Sequence, residues 1–381
     1  MSDFWLNFQL PIYNFQTMKG LEFPIVSTKI EGLNKQSLLL RNKKFDLSSP
    51  EGRKDYFEAK VGDEIGHLRN FLNKNTFVAY LLGKKNSGKG TYAKLFTEIF
   101  GEDKVEHVSV GDIVRDVHTN WKSFAKSDDY KRLRQLYRGY ISFDEAVKTL
   151  LGRSTKTLLP TEFVLALLKI HIEKLEGKSI FLDGLPRESD QVSYSLYFRD
   201  IINYRGDPDM FVIIDIPEAV INERIKYRVV CPKCQTSRNK KLLITSKIEY
   251  DTKSGEFYLV CDNPKCPGAR MEAKEGDDLG IAPISERLQK DDEIIRNVFS
   301  LHGVPKILLR NRVPKVEARE YFDEYELTPE YSFIYDEEKK KVKVLEKPWT
   351  MKDDNGVDSN SLLAPPVVVS MIKQLFDVLN L

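Results

Sequence analysis

The sequence predicts an α/β protein in which a parallel central sheet lies between two layers of helices, with a small further unit built around clustered cysteines. The sheet is predicted by short apolar runs that alternate with helical sequence, at 76–82, 107–110, 179–182 and 210–214. Strands buried on both faces of a parallel sheet have this composition. The cysteines lie close together, at 231, 234, 261 and 266. In a reducing compartment, such clustering indicates a metal site.

Composition and charge narrow the classes of function. The chain has 381 residues, of which 41% are hydrophobic and 11% aromatic, enough for a large core. Its 59 basic and 57 acidic residues leave a net charge of +2, which does not favour a nucleic acid or an anionic membrane as partner. The start of the chain lacks the basic and apolar regions of a leader, and no long apolar run follows. We therefore expect a cytoplasmic monomer that binds neither nucleic acid nor membrane.

A phosphate-binding loop is predicted directly after the first strand, where residues 83–89 read GKKNSGK. Glycines let successive backbone N–H groups point inward, the next helix offers its positive end, and Lys89 can reach the outer phosphates. The strand before the loop and the helix after it argue against a chance turn, so we predict a P-loop NTPase fold. The residues predicted to bind the triphosphate are Gly83, Asn86, Ser87, Gly88, Lys89, Gly90 and Thr91.

Segments on either side of the predicted sheet are expected to be packing elements. Ser48 and Glu51 have the spacing of a capping box, and apolar residues then recur at helical intervals up to about residue 73. Residues 331–345 alternate around a charged turn, which predicts a hairpin, and 367–379 are apolar and helical after two prolines. Residues 1–47 contain no interpretable motif.

The order lysine, glycine, threonine at the end of the loop resembles the nucleoside monophosphate kinases, and the adenylate kinases in particular. Three further motifs follow in that family's order: HVSVGDIVR at 107–115, FLDGLPR at 181–187 followed by Gln191, and DIP at 215–217 followed by Arg224 and Arg228. The resemblance covers residues 77–228 and fades beyond about residue 300. It implies an enzyme, a phosphotransferase that moves the γ-phosphoryl group of ATP reversibly to AMP with Mg²⁺, giving two ADP.

The resemblance also implies roles for individual residues. The implied acceptor site consists of Val110, Arg115, Thr157, Leu158, Leu159, Gly184, Arg187 and Gln191. Arg224 and Arg228 would lie on the ATP side, and Arg287 is the candidate for the first of two arginines on the helix after a lid. The implied catalytic set is Lys89, Asp183, Arg187, Arg228 and Arg287, with Asp183 holding Mg²⁺ through water. The alternatives are solvated surface cations for the arginines and a helix-capping carboxylate for Asp183.

The base of the acceptor is predicted chiefly from Gln191. A glutamine amide can accept a hydrogen bond from the adenine amino group and donate one to the neighbouring ring nitrogen. Val110 stands where adenylate kinases usually have threonine and their pyrimidine-specific relatives a small apolar residue. Those pyrimidine-specific relatives usually have asparagine in place of the glutamine, so AMP is ranked first, CMP or UMP second and GMP third.

The cysteines form two short motifs, CPKC at 231–234 and CDNPKC at 261–266. Four thiolates presented from two tight turns suit tetrahedral zinc and leave no position open for water, so the predicted zinc is structural. Four reduced thiols in an ordinary core are the alternative. Cys231, Cys234, Cys261 and Cys266 lie where some adenylate kinases hold their mobile lid together with zinc. The second pair is wider than in those relatives, so an enlarged lid is expected.

Five segments are predicted from these features. They are an N-terminal extension with a long helix at 1–75, a P-loop kinase core at 76–228 with the monophosphate-binding segment at about 109–170, a zinc-binding lid at 229–285, a core helix at 286–315, and a hairpin and helix packed on the core at 316–381. A non-catalytic P-loop protein whose zinc ribbon binds nucleic acid or another partner is the competing hypothesis. The mixed charge of residues 231–278 disfavours it, because a nucleic-acid surface needs a local basic excess.

Overall fold

The structure is a computed structural model that describes residues 23–26, 43–152, 159–175, 177–198, 208–263, 266 and 268–381. Its strands are β1 Val78–Gly83, β2 Val105–Ser109, β3 Ser179–Asp183, β4 Asp209–Asp215, β5 Arg228–Val230, β6 Ser237–Asn239, β7 Lys247–Asp251, β8 Glu256–Val260, β9 Glu272–Ala273, β10 Lys306–Arg310, β11 Arg312–Pro314, β12 Pro329–Asp336, β13 Lys341–Pro348, β14 Thr350–Lys352 and β15 Asp358–Ser361.

The described residues form twelve α-helices, five of which follow one another between β2 and β3. They are α1 Pro50–Leu72, α2 Lys89–Phe100, α3 Val110–Thr119, α4 Trp121–Phe124, α5 Asp128–Leu136, α6 Phe143–Leu151, α7 Thr161–Ile172, α8 Gln191–Leu196, α9 Glu218–Lys226, α10 Ser285–Phe299, α11 Ala318–Tyr321 and α12 Ala364–Val378. Among the described residues, no helix combines the length and the apolar composition that a membrane span requires.

The central sheet has five strands in the order β10-β4-β1-β3-β2, and every neighbouring pair is parallel. Successive residues of β1 point to opposite faces, so Ala79 and Leu81 enter one apolar cluster while Val78 and Tyr80 enter another. The first cluster is shared with α1, α2 and α12, and the second with α3, α7 and α10. This confirms the predicted α/β class with helices on both faces of a parallel sheet.

Strand β10 was not predicted from the sequence. It pairs with β4 alone at the edge of the sheet. Its burial alternates along the strand, with Ile307 and Leu309 buried and Lys306, Leu308 and Arg310 partly exposed. Strands β1, β3 and β4 are central and buried along most of their length, whereas β2 and β10 are the two edge strands and have mixed burial. The apolar run of β10 is short and lies between Lys306 and Arg310, so it is a weak signal for a buried parallel strand.

Helix α1 begins one residue later than the predicted capping box requires. Ser49 is the N-cap, and its side chain accepts a hydrogen bond from the backbone N–H of Gly52, while the Ser48 hydroxyl bonds to Asp46. The proposed pairing of Ser48 with Glu51 is therefore wrong. Pro50 at the first helical position explains the shift, because its missing N–H costs nothing there and its φ suits a helix.

The segments before and after the sheet pack against the same face of it. Residues of α1 and α12 belong to the apolar cluster that also contains Phe96 of α2. The buried hydroxyl of Tyr56 on α1 donates to Glu326 Oε1 at 2.6 Å. Helix α12 starts at Ala364, ahead of the predicted start, since prolines are tolerated in a first helical turn. Strands β12 and β13 form an antiparallel hairpin where the sequence predicts one.

The strands from β5 to β9 form a separate small unit, called here the cysteine segment (residues 228–273). β5 pairs antiparallel with β6 and β9, and β7 pairs antiparallel with β8. Its apolar cluster contains Val229, Leu259 and Met271 together with two of the cysteines. The small ribbon that the sequence predicts is present, and it carries few apolar side chains of its own.

Candidate active site

The phosphate loop, residues 83–89, connects β1 to α2. A Cβ at Gly83 would lie 2.6 Å from Ser87 Oγ and 3.1 Å from Ile214 Cβ, so this position accepts only glycine. Gly88 has φ of 103° and Asn86 has φ of 66°, two left-handed residues that fold the loop back on itself. No side chain caps the start of α2. The backbone N–H groups of its first turn therefore form a site suited to an anion.

The Lys89 side chain folds over this loop. Its Nζ donates to the backbone oxygens of Gly83 at 2.9 Å and Lys84 at 3.3 Å. The same Nζ lies 3.9 Å from Oδ1 of Asp183, the residue that ends β3. The structure thus brings together the lysine predicted to contact phosphate and the carboxylate predicted to hold Mg²⁺.

The electrostatic surroundings of Lys89 include two of the predicted arginines. Burial lowers the pKa of Lys89, against the opposing effect of Asp183 and Asp291. The guanidinium groups of Arg287 and Arg187 lower the pKa of the same ammonium further. Lys89 is therefore within electrostatic range of both arginines. Such a cluster of positive charge favours the binding of an anion with several negative charges.

The two arginines predicted to lie on the donor side are both held by hydrogen bonds. Arg224 on α9 donates from Nη1 to the backbone oxygen of Asn86 at 3.1 Å. Arg228 makes two hydrogen bonds of 2.6 Å to the carboxylate of Asp277. These contacts place both side chains by charge-assisted bonds. Arg224 thereby contacts the phosphate loop itself.

Arg287 is tied to the loop through a shared carboxylate. Its Nε donates to Asp291 Oδ1 at 2.9 Å, and Asp291 Oδ2 accepts from the backbone N–H of Lys85 at 3.0 Å. Burial lowers the pKa of Lys85, and Arg287 and Arg228 lower it further. Arg287 and Arg228 therefore both lie within electrostatic range of the loop.

Arg187, which is predicted to bind the acceptor phosphate, packs over two glycines. A Cβ at Gly184, whose φ is 100°, would lie 2.7 Å from Arg187 Nη2, and one at Gly111 would lie 3.4 Å from the same atom. Both glycines thus leave room for the guanidinium. Arg187 connects the motif that follows β3 with the start of α3.

The predicted base-reading side chain is buried and oriented by the protein. Gln191 Oε1 accepts from the backbone N–H of Arg187 at 2.7 Å, and Nε2 donates to Thr161 Oγ1 at 2.9 Å. An amide oxygen has a second lone pair and an amide nitrogen a second hydrogen. Each end of Gln191 therefore keeps one further hydrogen-bonding position.

The remaining residues of the predicted acceptor site differ in their exposure to solvent. Arg115 is 72% exposed and pairs with Asp112 on its own helix. Val110 is buried at the start of α3, and Leu159 packs against the apolar cluster on that face of the sheet. Thr157 and Leu158 lie outside the described residues.

The four cysteine sulfurs lie together within the cysteine segment. All are within 4.8 Å of one another, with 3.6 Å between those of Cys231 and Cys266 and 3.5 Å between those of Cys234 and Cys261. A regular tetrahedron with Zn–S bonds of about 2.3 Å has sulfurs about 3.8 Å apart, so the arrangement fits zinc. Hydrogen bonding with Thr236 lowers the pKa of Cys234 to about 6, while burial and the neighbouring thiols raise the pKa of Cys261 to about 12.

Two acidic residues near the site were missed by sequence reasoning. Asp277 holds Arg228, and Asp291 joins Arg287 to the phosphate loop. The spacing of Arg287 and Asp291, four residues apart on a helix, could have indicated the second contact. No local pattern indicates the first.

Comparison with known proteins identifies several adenylate kinases as relatives. The adenylate kinase of Clostridium tetani is 31% identical over 202 residues, which cover 51% of this chain and 73% of the relative. That of Clostridium acetobutylicum is 32% identical over 186 residues, 48% of this chain and 71% of the relative. That of Thermotoga petrophila is 32% identical over 160 residues, 41% of this chain, and the chain spans only 61% of that relative's length. No family model matches the chain.

Proposed function

Because this chain belongs to the adenylate kinase family, we propose that it is a nucleoside monophosphate kinase that transfers the γ-phosphoryl group of ATP reversibly to AMP, forming two ADP. The observation that carries the proposal is that residues of separate motifs meet at the phosphate loop. Lys89 Nζ lies 3.9 Å from Asp183 Oδ1, and Arg224 donates to the backbone oxygen of Asn86. A bound nucleoside triphosphate would account for this meeting. We place the enzyme in the cytoplasm, as the sequence predicts.

The chemistry requires little covalent participation from the protein. Phosphoryl transfer depends on aligning two nucleotides and neutralising the charge of the transferred group. In this proposal, the loop N–H groups and Lys89 hold the β- and γ-phosphates, with Arg224 and Arg228 beside them. Arg187 and Arg115 bind the acceptor phosphate, and Arg287 lies between the two nucleotides. Asp277 and Asp291 orient their arginine partners before substrate arrives, which lowers the reorganisation cost.

Two metals fit residues of the chain. Asp183 ends a strand beside Lys89 and has the carboxylate that Mg²⁺ binds through its water shell. Bound Mg²⁺ would neutralise charge on the phosphates of ATP. The four thiolates of the cysteine segment would hold structural zinc, since they complete a tetrahedron without a position for water.

The preference for AMP rests on Gln191. Its burial and its bonds to Arg187 and Thr161 limit the orientations of the amide. The free amide positions match the donor and acceptor of the adenine edge. A base that leaves such a buried group unpaired should lose about 1–3 kcal/mol, roughly tenfold to a hundredfold in specificity.

The experiment is a coupled assay of ADP formation from ATP with AMP, CMP, UMP and GMP in turn. We expect kcat/KM to be highest with AMP by roughly tenfold or more. A value with another monophosphate that equals or exceeds that with AMP would show that the acceptor is misassigned. If no monophosphate supports ADP formation, the kinase proposal is wrong.

A binding assay separates the kinase from a non-catalytic nucleic-acid binder. An analogue that joins two adenosines through phosphates should raise the melting temperature strongly, because it fills both nucleotide sites. Single-stranded DNA should leave it unchanged. The reverse result would favour a P-loop protein whose ribbon binds nucleic acid.

A further inference from the structure

Lys84, the second residue of the phosphate loop, is surrounded by carboxylates. Its Nζ lies 3.1 Å from Glu218, 3.2 Å from Asp292 and 3.6 Å from Asp354, and its side chain is only 10% exposed. Burial by itself would lower the pKa of Lys84, but Asp292, Asp354 and Glu218 outweigh it, and the pKa is raised. Lys84 therefore stays charged and ties the loop to three other segments.

One of these partners, Asp354, comes from the C-terminal region beyond the family resemblance. It lies in the turn between β14 and β15, and its Oδ1 accepts from the backbone N–H of Glu218, the first residue of α9, at 2.9 Å. Pro217, the N-cap of that helix, makes no side-chain capping bond. Asp354 supplies a cap from a distant part of the chain, and its negative charge also suits the positive end of the helix.

The helix that Asp354 caps also carries a donor-side arginine. Arg224 on α9 donates to the backbone oxygen of Asn86 in the phosphate loop. Asp354 therefore contacts the loop directly through Lys84 and indirectly through α9. A shift of this carboxylate would change the position of the loop relative to the helix.

The turn that carries Asp354 is itself rigidly held. The side chain of its neighbour Asp353 is fully buried, pairs with Arg312 at 2.6 Å, and accepts from the backbone N–H groups of Asn355 at 3.0 Å and Val357 at 2.9 Å. Arg312 also lies 3.3 Å from Asp215, at the end of β4. The turn is thus anchored to the central sheet next to the loop.

We propose that Asp354 is a positioning residue for the triphosphate, so that the C-terminal region forms part of the ATP site. Its carboxylate aligns the phosphate loop, through Lys84, with the helix that carries Arg224. The proposal rests on the proposed kinase function and deepens it, since it assigns a role in donor binding to residues outside the family resemblance.

The test compares two variants of Asp354 with a matched control. Asp354→Asn keeps an oxygen that can accept from Glu218 and removes the charge near Lys84, whereas Asp354→Ala removes both. Asp358→Asn is the control, because this carboxylate of the same region is 64% exposed and pairs with Lys352. For each protein, KM for ATP and for AMP and kcat are measured, and the Kd of ATP is measured by calorimetry.

We expect Asp354→Ala to raise both KM and Kd for ATP roughly tenfold, and Asp354→Asn to raise them less, with KM for AMP changed less than about twofold. Equal KM and Kd values for ATP in Asp354→Ala and Asp358→Asn would overturn the proposal. A parallel rise in KM for ATP and KM for AMP would also overturn it, because it indicates a general structural defect. If Asp354→Ala does not fold, an ATP affinity of Asp354→Asn equal to that of the control overturns it. If the unmodified protein forms no ADP, the kinase proposal fails, while calorimetry still tests Asp354.

Discussion

The phosphate loop and the cysteine segment are held in place by different forces. The loop follows β1, a strand paired on both sides and buried along its length, and apolar residues from helices on both faces surround that strand. The cysteine segment has short strands and a small apolar cluster, in which the sulfurs of Cys231 and Cys261 take part. Apolar burial stabilises in proportion to the area removed from water, so it supports the first region far more than the second.

The source of stability therefore differs between the two regions. In the loop, the sheet supplies stability, and polar side chains such as Lys89 are available for binding. In the cysteine segment, the four thiols would supply the stability through a metal. The chain also supports this segment from outside. In the hairpin of β12 and β13, the ring of Tyr335 stacks on that of Tyr250, with 4.4 Å between the ring centroids. The ring centroid of Phe333 lies 5.6 Å from that of Phe257.

Metal removal should have the largest effect, and it should be confined to the cysteine segment. We expect purified protein to carry one zinc ion per chain, because four thiolates fit a single tetrahedral site. Structural zinc contributes on the order of 10 kcal/mol in small zinc-finger peptides. Chelation should therefore raise hydrogen exchange strongly across residues 228–273 and leave β1, β3 and β4 protected.

Metal analysis and Cys261→Ser provide the check on this prediction. Absence of zinc, together with an unchanged melting temperature in Cys261→Ser, would contradict it. Loss of hydrogen-exchange protection in the central sheet on chelation would also contradict the prediction, because the two regions would then unfold together.

Lys89→Ala should affect catalysis and leave stability unchanged. Loss of one preorganised charge contact typically costs about 3 kcal/mol of transition-state stabilisation, roughly a hundredfold in kcat. We expect kcat to fall at least that far while the melting temperature and zinc content stay at the values of the unmodified protein. Lys94→Ala, on the exposed face of the same helix, is the control and should retain full activity. Near-normal turnover in Lys89→Ala would show that the loop does not hold the transferred phosphate.

Phe333→Ala should have the smallest effect, a local loss of support for the cysteine segment. Aromatic pairs contribute about 0.5–1.5 kcal/mol beyond their area, so we expect a modest rise in hydrogen exchange in β7 and β8. Ile334→Ala is the matched control, because Ile334 is adjacent on β12 and is 51% exposed. Exchange in β7 and β8 that is the same in both variants would show that the hairpin does not stabilise this segment.

Features that depend on neighbouring residues could be predicted from the sequence. The phosphate loop is one, since its glycines, Lys89 and the buried strand before it lie within a dozen residues. The cysteine pairs are another, because the two cysteines of each pair are at most five positions apart in the sequence. The edge strand β10 and the N-cap of α1 were missed or misplaced, since burial at a sheet edge and competition between Ser48 and Ser49 depend on the packed structure.

The sequence by itself determined the chemistry of this protein: a loop suited to phosphate, a set of cations in motifs, and four thiols spaced for zinc. Only the tertiary structure decided which acidic groups hold those cations. Asp277 lies 49 residues from Arg228. Asp291, which holds Arg287, also accepts from the backbone N–H of Lys85, 206 residues away. Asp354 reaches Lys84 from the far end of the chain. The local sequence does not specify the partner of such a charge, because the pairing is set by which segments the apolar core brings together.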